Sequence, residues 1–298
     1  MYRSRIGVWI VGLVVCIIIS IFGDINFSKE TYTIYSNTTD IFLKNNFAQN
    51  TFLLNANASL NKSNADIIIQ TSSNEKIEGY DKYEDYLYSP IVMFANSACQ
   101  DDKSGFIIKN HATYFDLKKL LIGLEKNQTF KDIGINKKVA EGSIAISIPD
   151  ESNESYNEVR KLFLLTLSDG DEISEKIENR VDNILEKCRK VSDPMGEMIK
   201  ITKNKSDHNL IFIGPEYYVK GDIHESVYVF NWNKKTAWYS IYPNKTCNII
   251  YDVFVKKNKE DIFGKIKKKY TNLGLRSYDK PTIYSDYTPN NIVVFDEK

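Results

Sequence analysis

The feature that most restricts what this chain can become is an uninterrupted apolar run close to its start. Ile6 to Phe22 reads IGVWIVGLVVCIIISIF, 17 residues without a charge. As a helix the run would rise roughly 26 Å, close to the minimum needed to cross a bilayer core. It is apolar on every face, unlike a helix that must present one side to water. Arg3 and Arg5 are the only charges before Asp24, and basic residues on that flank favour a cytoplasmic N-terminus. The expectation is a single transmembrane helix within an anchor segment 1–28, with the body outside the cytoplasm. The run lacks the pair of small residues that signal peptidase requires. Cys16 lies inside the run behind Val15, which suits an uncleaved anchor better than a lipidated one.

The remaining 270 or so residues suffice for one large domain or two lobes with an ample core. The formal charge of the whole chain is zero. Setting Arg3 and Arg5 aside leaves the body at −2, so no basic field supports nucleic-acid binding. Cys99, Cys188 and Cys247 match no zinc spacing. An oxidising compartment would allow one bridge among them, with the pair left open. His111, His208 and His224 are scattered, and no metalloprotease, nucleophile-elbow or phosphate-loop motif is present. Catalysis, metal and cofactor are therefore not expected. A hydrolase using Cys99 or Cys188 with a distant histidine is the least favoured reading.

Along the body, strand and helix patterns alternate. TYTIYS (31–36) reads as a strand and is followed by the capping run Asn37-Thr38-Thr39-Asp40 and a brief helix, IFLKNNFA. Thr51–Leu54 and Ala65–Gln70 read as further strands, the latter ending in Thr71-Ser72-Ser73. These suit a parallel sheet buried on both faces. Pro90 opens the apolar run Ile91–Ala95, and Asp116 caps a helix with leucines at 117, 120, 121 and 124. SIAISIP (143–149) is a strand closing on Asp150-Glu151-Ser152-Asn153, before the one-sided helix ESYNEVRKLFLLTLS. Helices follow over 171–190 and 194–203. Strands are expected at 210–213, 226–230, 237–242 and in IIYDVFV (249–255), then a helix from Lys259 to Tyr270 stopped near Gly274. The lysines at 265–269 read as that helix's solvated face. The tyrosines between 80 and 88 and at 217, 218 and 228 offer either an aromatic surface or half-buried strand positions. Alternation without a repeat places the body in the α/β class.

The order of these pieces resembles the type II periplasmic (extracellular) solute-binding proteins of ABC transporters. TYTIYSNTTD resembles that family's first strand and ligand-facing turn, and ADIIIQTSS its third strand and turn. YSPIVMFAN resembles the strand that crosses between lobes, and GSIAISIPDESNESYNEVRKLF the second lobe's strand, turn and helix. IYPNKTCNIIYDVFVKKNKED resembles the returning strand, and NLGLRS a segment near the end. The resemblance covers about residues 31–277. It implies a two-lobed fold behind one N-terminal transmembrane helix, with lobe I in 29–88 and again in 240–298, and lobe II in 89–239. A small polar solute or oxyanion would bind between the lobes, and an ABC permease would be the membrane partner.

Solutes in open α/β sheets sit beyond the carboxyl ends of strands, near helix N-termini. The turns there offer Ser36, Asn37 and Thr38, then Thr71, Ser72 and Ser73, then Ser152 and Asn153, with Tyr242 at the second crossing. Each of these also suits a plain helix cap or turn. An anchored interaction or sensory module reusing the same fold is the alternative function.

Overall fold

Alternating polar and apolar residues make β1 (Thr31–Ser36), with Tyr32 and Ile34 turned inward. The computed structural model describes residues 31–47, 55–73, 75–83, 86–96, 107–109, 112–135, 142–169, 172–198, 211–220, 238–259, 262–278 and 284–286. Contacts divide the chain into a unit Met1–Thr31 and a unit Tyr32–Lys298, and the elements below belong to the second unit, Thr31 aside. The anchor segment Ile6–Phe22 lies outside the described residues. Among the described residues no helix is long and apolar enough to cross a membrane.

The fold is mixed α/β and has two halves. In the first, β1 pairs in parallel with β3 (Ile67–Thr71), Ile34 opposite Ile67, and β2 (Asn55–Ala58) flanks β1. Thr51–Leu54 falls outside the described residues, and the strand found there is the polar stretch that follows it. The parallel pairing expected of these strands holds for β1 and β3, and the sheet then continues with antiparallel strands. β12 (Lys245–Lys256) runs antiparallel to β3, and the first part of β5 (Tyr86–Asn96) runs antiparallel to β12. This is possible because the chain reaches β12 from the other half and enters from the opposite end. β4 (Tyr80–Lys82), β13 (Arg276–Tyr278) and β14 (Tyr284–Asp286) complete the pairing.

β5 links the halves. Leu87 to Pro90 pair with β12, whereas Ile91 to Ala95 pair with β10 (Ile211–Pro215). Proline is tolerated at this change of partner because it has no N–H to give to a ladder. The second half's strands run in the order β9 (Arg189–Val191), β8 (Ile146–Pro149), β10 and β5. β11 (Trp238–Tyr242) pairs with β5 from its other side, and then come β7 (Ala112–Tyr114) and β6 (Ile107–Lys109). Pro243 and Asn244 connect β11 to β12, so the chain passes between the halves a second time.

The cores follow the periodicities. Helix α1 (Ile41–Phe47) puts Leu43 and Phe47 into the first core. Helices α2 (Leu117–Glu125), α3 (Ser155–Ser168) and α4 (Glu175–Lys187) cover the second sheet. Val159, Leu162, Phe163 and Leu167 of α3 fall at helical spacing and are all buried. On β5, Ile91 and Met93 enter the second core, while Val92 and Phe94 join the first. That strand is therefore buried on both faces, as its continuous apolar run requires. Each such side chain contributes about 1.5–3 kcal/mol by leaving water.

A one-turn helix α5 (Tyr217–Lys220) follows β10, and α6 (Phe263–Asn272) closes the first half. Gly274, at φ +87°, lets Gly274 N bond Thr271 O and Leu275 N bond Tyr270 O, ending α6 where a Cβ would be strained. The solvated-face expectation for 265–269 fails at one lysine. Lys269 is buried, with Nζ donating to Phe47 O at 2.7 Å, and burial lowers its pKa to about 8. The open carbonyl at the end of α1 is the reason, since a lysine satisfies it. Cys188 and Cys247 are buried free thiols, not bridged to each other, and Cys99 lies outside the described residues. Burial pushes the Cys188 thiol up to about 12 and, with Glu158 beside it, the Cys247 thiol higher still.

Candidate functional site

The turn after β1 is folded by its own short polar side chains. Thr38 N donates to Ser36 Oγ at 3.2 Å, and Thr71 N donates to Asn37 Oδ1 at 3.2 Å, holding the turn against the carboxyl end of β3. Asp40 N donates to Thr38 Oγ1, and Asp40 Oδ1 accepts from Leu43 N at 2.9 Å as the N-cap of α1. The turn after β8 is built by the same chemistry. Asp150 Oδ1 accepts from Ser152 N (3.0 Å) and Ser152 Oγ (2.6 Å). Asn153 Oδ1 accepts from Ser155 N (3.0 Å) and Ser155 Oγ (2.6 Å) at the start of α3. Glu151 turns outward to Lys190, 2.5 Å away.

These two turns, one from each half, meet. Asn153 Nδ2 and Tyr218 OH both donate to Asp40 Oδ2, at 2.9 and 2.6 Å. Thr38 Oγ1 (2.5 Å) and Tyr251 OH (2.6 Å) donate to Glu154 Oε1, and Thr39 N donates to Glu154 Oε2 at 3.3 Å. Glu154 N in turn donates to Thr39 Oγ1 at 2.8 Å. The junction is thus a crossed clasp, in which an acid at the start of a helix in one half accepts donors from the other. Asp40, Thr38 and Asn153 are all under 5% exposed, and Tyr217, Tyr218 and Tyr251 are fully buried.

The electrostatics are one-sided. Burial raises the Glu154 pKa, and Asp40 adds to the rise against the lowering from Thr38, Tyr251 and Thr39. Burial first, then Asp40 or Glu154, pushes the phenols of Tyr217, Tyr218 and Tyr251 far above their ordinary value. Among the described residues neither Asp40 nor Glu154 has an ion-pair partner. The Tyr217 hydroxyl interacts with that of Tyr218, and both acids act on it.

Of the residues expected at a site, Thr38 and Asn153 come together at this junction, and Ser36 and Asn37 shape the turn behind them. Ser152 is held by Asp150 at its own turn. Ser72 and Ser73 are engaged elsewhere: Ser72 Oγ and Ser73 N each lie 3.0 Å from the buried Asp252 carboxylate, which also pairs with Lys82. Thr71 contributes through its backbone alone, as the donor to Asn37. Tyr242 sits at the second crossing, where its hydroxyl donates to Glu216 and accepts from Arg276 Nη2 at 3.3 Å. Arg276 Nε binds Glu216 Oε2 at 2.8 Å. Glu216 N reaches Pro90 O at 2.8 Å, tying this cluster to the first crossing.

Sequence reasoning missed Asp40 and Glu154 as site residues, because an acid beside a helix start reads as a cap. It also missed the buried phenols of Tyr217, Tyr218 and Tyr251, which no periodicity marks. Among the described residues no three metal-ligating side chains come together.

No protein-family model and no curated protein matches the chain. Solved structures do. The sulfate-binding protein SubI from Mycobacterium tuberculosis is 10% identical over 84% of this chain and 87% of its own, with a TM-score of 0.46. Peb3 from Campylobacter jejuni is 11% identical over 83% of this chain and 100% of its own, with a TM-score of 0.41. A mutant OxyR from Corynebacterium glutamicum is 9% identical over 90% of this chain and 73% of its own, with a TM-score of 0.41. At these scores the architecture rests on the chain's own strand order and pairing.

Proposed function

We propose that the chain is a membrane-anchored, extracytoplasmic solute-binding protein that takes a small polar solute between its two halves and performs no chemistry on it. The observation that carries this reading is the meeting of the Ser36–Asp40 and Asp150–Ser155 turns, each at the carboxyl end of a strand and the start of a helix. Two crossings, at Pro90 and Pro243, join the halves and leave the two turns free to shift against each other, while Val92, Phe94 and Phe212 of the second half stay in the first core. A solute touching both turns then favours the closed arrangement over the open one. Anchoring through Ile6–Phe22 and delivery to an ABC permease complete the proposal, and an oxyanion is one form the solute can take.

A second reading has its own observation. The junction is already bridged by Asp40, Glu154, Asn153 and Thr38, so the same body would also serve as an anchored interaction or sensory module that stays shut.

Thermal unfolding of the full chain in detergent separates the two readings. At a hundred times its Kd a true solute stabilises by about 2.7 kcal/mol, a shift of a few degrees in Tm. A panel of anions, amines, sugars and amino acids in which one class shifts Tm in a saturable manner supports the solute reading. A flat panel favours the module.

A further inference from the structure

Three consecutive residues, Glu216, Tyr217 and Tyr218, reach both places where the halves meet, and all three are fully buried. Glu216 belongs to the crossings. Its N–H donates to Pro90 O at 2.8 Å on the first crossing, and its carboxylate accepts from Tyr242 OH on the second. Arg276 of β13, in the first half, completes the cluster, with Nε 2.8 Å from Glu216 Oε2. Tyr217 adds a second tie to the first crossing, its N–H donating to Ser89 Oγ at 3.2 Å, and its ring stacks on Phe42 of α1 at 6.1 Å. Tyr218 belongs to the clasp, where its hydroxyl donates to Asp40 Oδ2 at 2.6 Å.

This segment has little freedom to move at one end alone. Pro215 leads into it with a fixed φ, and the single turn of α5 starts at Tyr217. Gly214, at the end of β10, makes the room that the Tyr218 ring occupies. A Cβ at that glycine would stand 3.0 Å from Tyr218 Cε2. The ring therefore lies close against the strand, with no slack to absorb a rotation of α5. Interiors packed in this way change arrangement in steps and do not bend gradually.

We propose that Glu216–Tyr218 is a transmission element that makes the crossing cluster and the clasp a single switch. When Tyr218 leaves Asp40, α5 turns and Glu216 loosens from Arg276 and Tyr242; loosening at Glu216 releases Tyr218 in the same way. Separation of the two turns is thereby felt by both strands that join the halves. Glu216 and Arg276 act on the clasp through Tyr218 and are positioning residues. The coupling is reciprocal by linkage. It needs no solute, so it goes beyond the solute-binding reading and is tested without one.

A double-mutant cycle on the full chain in detergent tests the coupling. Arg276→Lys keeps the positive charge but loses the paired contacts of the guanidinium, and Tyr218→Phe removes only a hydroxyl. Effects of independent sites on the unfolding constant multiply. Urea unfolding should instead find the double variant about threefold or more closer to the parent than that product, because the first loss already slackens what the second would break. Hydrogen–deuterium exchange gives a second readout. Arg276→Lys should speed exchange of the Thr38–Leu43 and Asn153–Tyr156 amides by about threefold or more, although Arg276 is bound at the crossings. Arg180→Lys, which weakens the bidentate pair with Glu125 between α4 and α2, is the control. It should multiply with Tyr218→Phe and leave the clasp amides as they are. If Arg276→Lys does not fold, Tyr242→Phe takes its place in both measurements. A double variant that equals the product, or clasp amides that keep the parent rate, overturns the coupling. So does an Arg180→Lys cycle that departs from the product equally, since the coupling would then belong to the whole fold.

Discussion

Two buried acidic clusters stand where the halves of this protein meet, and they are built differently. At the crossings, Glu216 is fully buried and answered by Arg276, which approaches to 2.6 Å, with Tyr242 donating to the same carboxylate. Burial alone would lower the Arg276 pKa, but Glu216 beside it more than reverses that. At the clasp, Asp40 and Glu154 are held by hydroxyls, an amide and a backbone N–H, with no cation among the described residues. One cluster pairs its acid with a guanidinium and ties together the two crossings. The other is satisfied by hydrogen bonds without a cation among the described residues. Removing one partner of the ion pair strands a buried charge, whereas the clasp depends on hydrogen bonds alone.

Four substitutions sharpen or break that contrast. Arg276→Met leaves the Glu216 carboxylate without its guanidinium and should cost about 3–5 kcal/mol in urea unfolding. A cost well below that would mean the hinge cluster is not the balanced pair described here. Asp40→Ala removes the acceptor for Leu43 N, Asn153 and Tyr218 together, and should cost roughly 1–3 kcal/mol by the same measurement. Glu154→Gln should change stability less at neutral pH and act chiefly on its pH dependence. The folded-state pKa of Glu154 lies above its unfolded value, so the folded protein holds the proton more tightly between the two. Stability should therefore rise as pH falls through the folded pKa and level off below the unfolded one. Urea titrations from about pH 8 to about pH 4 should show this rise in the parent and lose that component in Glu154→Gln. Tyr217→Phe should be the mildest, costing at most about 1.5 kcal/mol for the hydroxyl's contact with Tyr218. A larger loss would show that the hydroxyl carries more of the clasp than that contact.

Much of the fold was legible because its signals are periodic. The leucines at 117, 120, 121 and 124 placed α2, and the run from Ile91 to Ala95 placed a strand, although that strand begins at Tyr86 and carries Pro90 in its interior instead of at its first residue. Strand direction was not legible in the same way. That β12 runs antiparallel to β3 depends on how the chain returns from the other half, and no local residue records it. The candidate junction was half visible. Thr38 and Asn153 were reachable from the rule that solutes sit past strand ends, and Asp40 and Glu154 obey that rule as well. Their acidity hid them, because an expectation of hydroxyl-lined turns for an oxyanion passes over carboxylates. The tyrosines were hidden for another reason. In a chain with 19 of them, only tertiary packing singles out Tyr217, Tyr218 and Tyr251.

The central claim is that one solute is held by both halves at the clasp. Hydrogen–deuterium exchange of the full chain, with and without the solute that shifts its melting, tests it most directly. The account predicts added protection of Thr38–Leu43 and Asn153–Tyr156 together, with α2 and α4 unchanged. Protection confined to one of these turns, or appearing elsewhere while both turns exchange as before, would contradict it.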